Sequence, residues 1–166
     1  MGRVNNIVIA GLGGQGVLTA SDLLAEAAFR AGFDVKKSEL HGMSQRGGSV
    51  SSDVRFGERV LSPMVPRGEA DLLVVLEATQ IEINRPVLRD SGTLIGPALL
   101  DLGALTNKRS LNVALLGAAS TALEIEPEHW LAALRANLAA KLHKVNEQAF
   151  AFGRSAAQAQ ASAETD

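Results

Sequence analysis

The fold is decided by the stretch Ile7-Val8-Ile9-Ala10-Gly11-Leu12-Gly13-Gly14-Gln15-Gly16-Val17-Leu18. Its first four residues are apolar and either small or branched, which is typical of a strand buried on both faces. Three glycines follow at positions one, three and six of a G-x-G-x-x-G pattern: Gly11, Gly13 and Gly16. This pattern is typical of a strand that turns into a helix beside a bound phosphate. The stretch therefore predicts a strand, a phosphate-sized loop and the start of a helix.

This glycine loop, Gly11–Gly16, allows two interpretations. The free amides of a helix's first turn, together with the helix dipole, favour an anionic group over the loop. Alternatively, the only role of the glycines at this turn is to let the backbone pack closely. The dinucleotide pattern does not require the fourth glycine, Gly14, which therefore needs a separate explanation.

Composition excludes several classes of function. The 166 residues favour a single domain, and the 46% of hydrophobic residues is ordinary for a globular protein with a full core. A net charge of −2, with the cationic residues scattered along the chain, argues against a nucleic-acid partner. The chain has no cysteine, which excludes disulfides, thiolate nucleophiles and cysteine-ligated clusters within it. Any iron–sulfur chemistry must come from elsewhere, on a partner chain or another domain.

The sequence shows no signal for export or for membrane insertion. No charged segment followed by an apolar one opens it, and no apolar run approaches the roughly 18 residues of a membrane span. We therefore predict a cytoplasmic protein without a membrane span.

The segment after the glycine loop predicts a helix and then a weak strand. Apolar residues at helical spacing predict a helix from Val17 to Ala31, and Phe33–Leu40 follows as a strand interrupted by lysines. A dinucleotide site needs an acidic residue near the end of such a strand to bind a ribose hydroxyl. Glu39 occupies that place, and a solvated strand end explains it equally well.

The next segment, His41–Gly48, is a glycine-rich loop without apolar periodicity. His41 and Arg46 are candidates for contact with a ligand, because arginine presents a fixed fork of donors to anionic groups. The alternatives are a hydrogen-bonded structural histidine and an arginine that is a surface charge.

The remaining pattern completes a three-layer α/β sandwich. Apolar and polar residues alternate over Val50–Phe56, which predicts a half-buried strand. The turn after it predicts an antiparallel hairpin, Arg55–Arg59, at one edge of a mainly parallel sheet. Asp71–Glu77 is a second buried strand. The C-terminal part is helical up to Gly153, so residues 1–153 form the domain, and residues 154–166 are predicted to be a flexible tail.

Three motifs occur in order and carry a resemblance to a known family: Gly11-Leu12-Gly13-Gly14-Gln15-Gly16-Val17, Ser38-Glu39-Leu40-His41-Gly42-Met43-Ser44-Gln45-Arg46-Gly47-Gly48-Ser49-Val50 and Asn112-Val113-Ala114-Leu115-Leu116-Gly117. With them the chain resembles the gamma-type domain of 2-oxoacid:ferredoxin oxidoreductases, over about Asn5 to Gly153. Within that family it is most similar to the beta subunit of indolepyruvate oxidoreductases. The doubled glycine, the loop His41–Gly48 and the hairpin after it are features of the family.

The resemblance implies a subunit of a complex that decarboxylates a 2-oxo acid on thiamine diphosphate. Such a complex passes electrons through iron–sulfur clusters to ferredoxin or another acceptor and transfers the acyl group to coenzyme A. The aromatic 2-oxo acids, such as indolepyruvate or phenylglyoxylate, are the expected substrates. Because this chain has neither a thiamine motif nor cluster ligands, both groups belong to partner subunits.

The resemblance also implies roles for the loops: covering the active site and binding coenzyme A. The residues that would face the phosphates of coenzyme A are Gly11, Gly13, Gly14, Gln15 and Gly16. Arg46, Gly47 and Gly48 would lie near the entrance for substrate or coenzyme. One stretch departs from the family, because the chain is shortened between Ile95 and Asn112 as though a strand–loop–helix unit had been reduced.

Two other functions are compatible with the residues alone. One is a small stand-alone dinucleotide-binding protein, for which Glu39 is the positive sign. The other is an interaction scaffold in which the glycine loop only packs.

Overall fold

A five-stranded sheet forms the centre of the computed structural model, which describes residues 2–41 and 48–166. The strands are β1 (Val4–Leu12), β2 (Asp34–His41), β3 (Ser49–Gly57), β4 (Ala70–Val75) and β5 (Leu88–Ile95), in the spatial order β2-β3-β1-β4-β5. β3 is antiparallel to both of its neighbours, and β4 is parallel to both β1 and β5. Four strands therefore share one direction, which confirms the mainly parallel sheet.

Within the described residues, five α-helices accompany the sheet. They are α1 (Val17–Arg30), α2 (Ile81–Asn84), α3 (Leu111–Ser120), α4 (Pro127–Asn137) and α5 (His143–Thr165). On one face, α1 covers β1 to β3, and α3 lies against β4 and β5, while α4 packs on α1 and α5 packs on α3. The three-layer α/β fold with a helical C-terminal part is confirmed. In the described residues, no helix has both the length and the apolar character needed to cross a membrane.

The central strand β1 is buried on both faces, as its sequence predicts. Ile7 and Ile9 are fully buried in the large core beneath α1 and α3. Val8 and Ala10 point the other way, into a smaller core with Val65 from the segment 58–69. This alternation fixes the register of the strand, because a shift by one residue would exchange the two faces.

The lysines of β2 are explained by its place at the edge of the sheet. An edge strand leaves one row of its backbone N–H and C=O groups unpaired, and charged side chains there oppose pairing with other chains. Lys37 contacts Asp22 of α1, and its Nζ donates to Glu39 Oε1 at 2.6 Å. The predicted weak strand is therefore confirmed.

One antiparallel hairpin is present at a sheet edge, but it is not at Arg55–Arg59. It is formed by β2 and β3, and β3 lies inside the sheet between β2 and β1. The predicted second arm after Gly57 is not a strand. Instead, side chains hold this segment: Val60 N donates to Asp34 Oδ2 at 2.8 Å, and Val65 N donates to Asp53 Oδ2 at 2.9 Å. The prolines that follow cannot donate to a ladder, which disfavours a strand there.

Helix α5 continues beyond the predicted end at Gly153 and reaches Thr165. Gly153 lies within the helix, where a Cβ would clash with the carbonyl of Ala114 in α3. Its lack of a side chain permits close packing of two helices. The expected helix end is therefore wrong, whereas the flexibility of residues 154–166 stays a prediction.

Candidate functional site

The glycine loop lies at the carboxyl end of β1, beside the carboxyl end of β4. Gly16 precedes α1 with φ +85°, and Gly14 has φ +90°. Both values fall in the left-handed region that only glycine adopts readily. A Cβ built on Gly14 would meet no atom within 4 Å. The backbone conformation at position 14 thus requires glycine, and the space where a side chain would lie is open.

Gly11 is a packing glycine. A Cβ at this position would lie 2.9 Å from Gln15 Oε1 and 3.1 Å from the Cβ of Leu76. The side chain of Gln15 therefore folds over Gly11, where its Oε1 accepts a bond from Leu12 N at 2.7 Å. Its Nε2 donates to Glu77 Oε2 at 3.0 Å. Gly11 therefore permits close packing within the loop, and its contact with a phosphate stays a prediction.

Two further contacts attach the loop to the rest of the fold. Asn112 Nδ2 donates to the carbonyl of Gly16 at 3.2 Å, and a Cβ on Gly16 would overlap the Asn112 amide. Gly13 N donates to the carbonyl of Gly48 at 2.9 Å. The structure thus brings Gly48 to the glycine loop, as expected if both belong to one site.

Two clefts open on either side of Gly14. The first has a volume of about 420 Å³ and is lined by Leu12, Gly13, Gly14, Gly16, Val17, Leu18, Thr19 and Val50. The second has a volume of about 440 Å³ and is lined by Gly14, Gln15, Gly16, Leu76, Lys108, Arg109, Leu111 and Asn112. Ala20 makes the first intrahelical bond, to Gly16, so the amides of the preceding turn are left for other acceptors.

The second cleft is suited to an anion. The exposed cations Lys108 and Arg109 face it from the segment before α3, opposite the backbone of Gly14 and Gly16. Cations and first-turn amides together favour phosphate or carboxylate groups. Sequence reasoning missed these two cations and Glu77, and it gave Asn112 no role although it lies in a recognised motif. No local pattern marks them, because they reach the loop only through the fold.

Some predicted site residues cannot be placed in this cleft. Arg46, Gly47 and the side chain of His41 lie outside the described part of the chain. Glu39 is in β2, which is separated from β1 by the reversed strand β3. A dinucleotide site needs its acidic residue on the strand next to β1. Glu39 therefore does not support a stand-alone dinucleotide-binding protein.

Comparison with known proteins identifies the family. Residues 6–158 match the sequence model of the family described as pyruvate ferredoxin/flavodoxin oxidoreductase. The chain belongs to this family. Indolepyruvate oxidoreductase subunit IorB of Methanothermobacter thermautotrophicus is 31% identical over 191 residues, which cover 92% of this chain and 97% of the relative. The predicted resemblance is confirmed.

Other members of the family match over shorter segments. IorB of Thermococcus kodakarensis is 57% identical over 75 residues, so the match spans 45% of this chain and only 37% of the relative. The 191-residue alignment with the Methanothermobacter protein is longer than the 166 residues of this chain. It therefore contains gaps in this chain, which agrees with a shortened family member.

Solved structures of the family share the fold. The gamma subunit of a keto/oxoacid ferredoxin oxidoreductase from Geobacter sulfurreducens has a TM-score of 0.79 at 21% identity, covering 95% of this chain and 98% of that chain. A 2-oxoglutarate:ferredoxin oxidoreductase from Magnetococcus marinus, with 2-oxoglutarate, coenzyme A and succinyl-CoA bound, also has a TM-score of 0.79, at 20% identity over 95% of this chain and 31% of that one.

Proposed function

We propose that this chain is a gamma-type subunit of a 2-oxoacid oxidoreductase complex and that its glycine loop holds the phosphates of coenzyme A. The observation that carries the proposal is the second cleft, where Lys108 and Arg109 face the open backbone of Gly14. Coenzyme A carries a pyrophosphate and a further phosphate, so it needs both amide donors and cations. Coenzyme A is present in the Magnetococcus relative.

The complex would convert a 2-oxo acid and coenzyme A into an acyl-CoA and carbon dioxide, releasing two electrons and one proton. Bound thiamine diphosphate would supply the decarboxylation chemistry, and iron–sulfur clusters would carry the electrons to ferredoxin or another acceptor. This chain has no cysteine to hold a cluster, so partner subunits would provide these groups. Cytoplasmic location remains part of the proposal.

The substrate would be an aromatic 2-oxo acid, such as indolepyruvate or phenylglyoxylate. The names of the IorB relatives support indolepyruvate. The carbonyl of Gly48 accepts a hydrogen bond from Gly13 N of the glycine loop at 2.9 Å. Gly48 is thus joined to the backbone that lines the first cleft. The family resemblance supports a position of Arg46, Gly47 and Gly48 near the entrance for substrate or coenzyme, and a role of this subunit in closing the active site of the complex.

The paired variant Lys108→Ala/Arg109→Ala tests the proposal in the assembled complex. Charge-assisted hydrogen bonds contribute about 1.5–3 kcal/mol each, so we expect the KM for coenzyme A to rise at least about tenfold. The kcat should change by less than about twofold, because the reacting atoms lie on the partners.

The matched control is Lys141→Ala/Lys144→Ala, which removes the same charge from exposed positions before and within α5. The control should keep the wild-type KM. Equal KM values for wild type and the Lys108/Arg109 variant, with assembly intact, would contradict phosphate binding in this cleft.

A further inference from the structure

The shape of the glycine loop is set by a chain of contacts that begins outside both clefts. Glu77 is the second residue after β4, and the bond from Leu76 N to the carbonyl of Ala10, at 2.8 Å, continues the pairing with β1 up to the residue before it. The half-buried Glu77 carboxylate is therefore held at a fixed place beside the loop.

Gln15 transmits this placement to the loop backbone. Its Nε2 donates to Glu77 Oε2 at 3.0 Å, and its Oε1 accepts from Leu12 N at 2.7 Å. Gln15 N also donates to the carbonyl of Leu12 at 3.2 Å, which closes the turn. The side-chain amide is thus engaged at both ends inside the protein. The Gln15 side chain therefore holds the loop backbone in place.

We propose that Glu77 is a positioning residue that fixes the glycine loop, through Gln15, in its ligand-binding shape. The proposal rests on the proposed function of the loop. A loop that is ordered before the ligand arrives costs less conformational entropy on binding. Hydrogen bonds to a carboxylate are stronger than those between neutral groups, so Glu77 holds the Gln15 amide firmly.

Coenzyme kinetics of the assembled complex provide the first test. Glu77→Ala should raise the KM for coenzyme A about tenfold and leave kcat within about twofold. Glu77→Gln keeps an acceptor for Gln15 and should return the KM close to the wild-type value. The control is Glu82→Ala, because Glu82 is an exposed carboxylate of α2 paired with Arg85. It should have no effect on KM.

Amide hydrogen exchange of the full chain without coenzyme provides a second test that does not depend on the proposed function. Loss of Glu77 releases Gln15 and should speed exchange at Leu12 N–H, while Ile9 in the middle of β1 stays protected. Gln15→Met, which has similar length and no amide, should give the same pattern. It replaces Glu77→Ala if that variant does not fold.

The outcomes separate the two proposals. In one outcome, exchange in the variants accelerates at Leu12 and not at Ile9 while the wild-type complex binds no coenzyme A. That result would support the positioning role of Glu77 and refute coenzyme A as the ligand of the loop. Unchanged exchange at Leu12, or equal acceleration at Leu12 and Ile9, would overturn the positioning role. A Glu77→Gln variant as impaired as Glu77→Ala would also overturn it, because the hydrogen bond would then not be responsible.

Discussion

Gly14 lies where the two clefts meet, with φ +90° and open space around the position of a Cβ. Gly32, after α1, has φ +95° and equally open surroundings. The two glycines therefore differ in their distance from the proposed ligand and share their backbone conformation. They form a matched pair for separating strain from binding.

We expect Gly14→Ala and Gly32→Ala to lower the free energy of unfolding by a similar amount, about 1–2 kcal/mol, because a Cβ opposes the left-handed conformation. Only Gly14→Ala should raise the KM for coenzyme A, since it also places a methyl group at the cleft. Urea denaturation and coenzyme kinetics would measure the two effects. Equal KM values for both variants would leave Gly14 a purely structural glycine.

Asp53 is a buried carboxyl group that organises the segment 58–69 through its bond to Val65 N. Burial raises the pKa of Asp53, and the Val65 bond and the charge of Arg55 only partly oppose this. Between the ordinary pKa and the raised one, the folded state binds more protons than the unfolded state. Stability from this group therefore falls as the pH rises through that window.

Asp53→Asn should remove this pH dependence and keep an oxygen that accepts the Val65 bond. We expect the free energy of unfolding of the variant minus that of wild type to be larger, meaning that the variant is relatively more stable, at pH 7 than at pH 4. Urea titrations at both pH values would show this. A difference that is the same at both values would mean that Asp53 does not titrate in the folded protein within this range.

The contact between α3 and α5 depends on two glycines. A Cβ at Gly117 would clash with the carbonyl of Phe150, and one at Gly153 would clash with the carbonyl of Ala114. Their backbones therefore approach more closely than most helix pairs allow. This contact places α3, and with it Asn112, against the glycine loop.

Gly153→Ala tests this contact at the level of the element. In an exposed helix the change would stabilise by about 1 kcal/mol, whereas overpacking here should cost about 1–3 kcal/mol. The melting temperature should therefore fall. The control Ser155→Ala changes an exposed residue of the same helix and should leave it nearly unchanged. A stabilised Gly153→Ala variant would show that the helices can separate without cost.

At the scale of the whole molecule, we expect the purified chain alone to have no oxidoreductase activity. It has no cysteine for a cluster, and its family relatives are subunits of oxidoreductases. Assays with thiamine diphosphate, a 2-oxo acid, coenzyme A and an acceptor dye should show no turnover. When partner subunits are co-expressed, a stable complex with visible iron–sulfur absorbance should be recovered and be active. Turnover by the isolated chain would contradict the division of roles.

The sequence by itself determined the features that depend on neighbouring residues. The apolar run Ile7–Ala10 and the glycine spacing predicted β1, the loop and α1, because strand burial and left-handed turns restrict which residues fit locally. The motifs also identified the family. The hairpin partner was misplaced because turn chemistry at Gly57 favours a reversal, while the choice of strand neighbours depends on the whole sheet.

Only the tertiary structure decided how the site is built. Gln15 and Glu77 are 62 residues apart in the chain, and Asn112 is 96 residues from Gly16, so no local period announces either contact. Lys108 and Arg109 face the loop because α3 is packed against it and against α5. The role of Gly153 is likewise set by packing, because the carbonyl of Ala114 occupies the place where a side chain at this position would lie. Such roles follow from close packing between distant segments, which residue type and spacing do not encode.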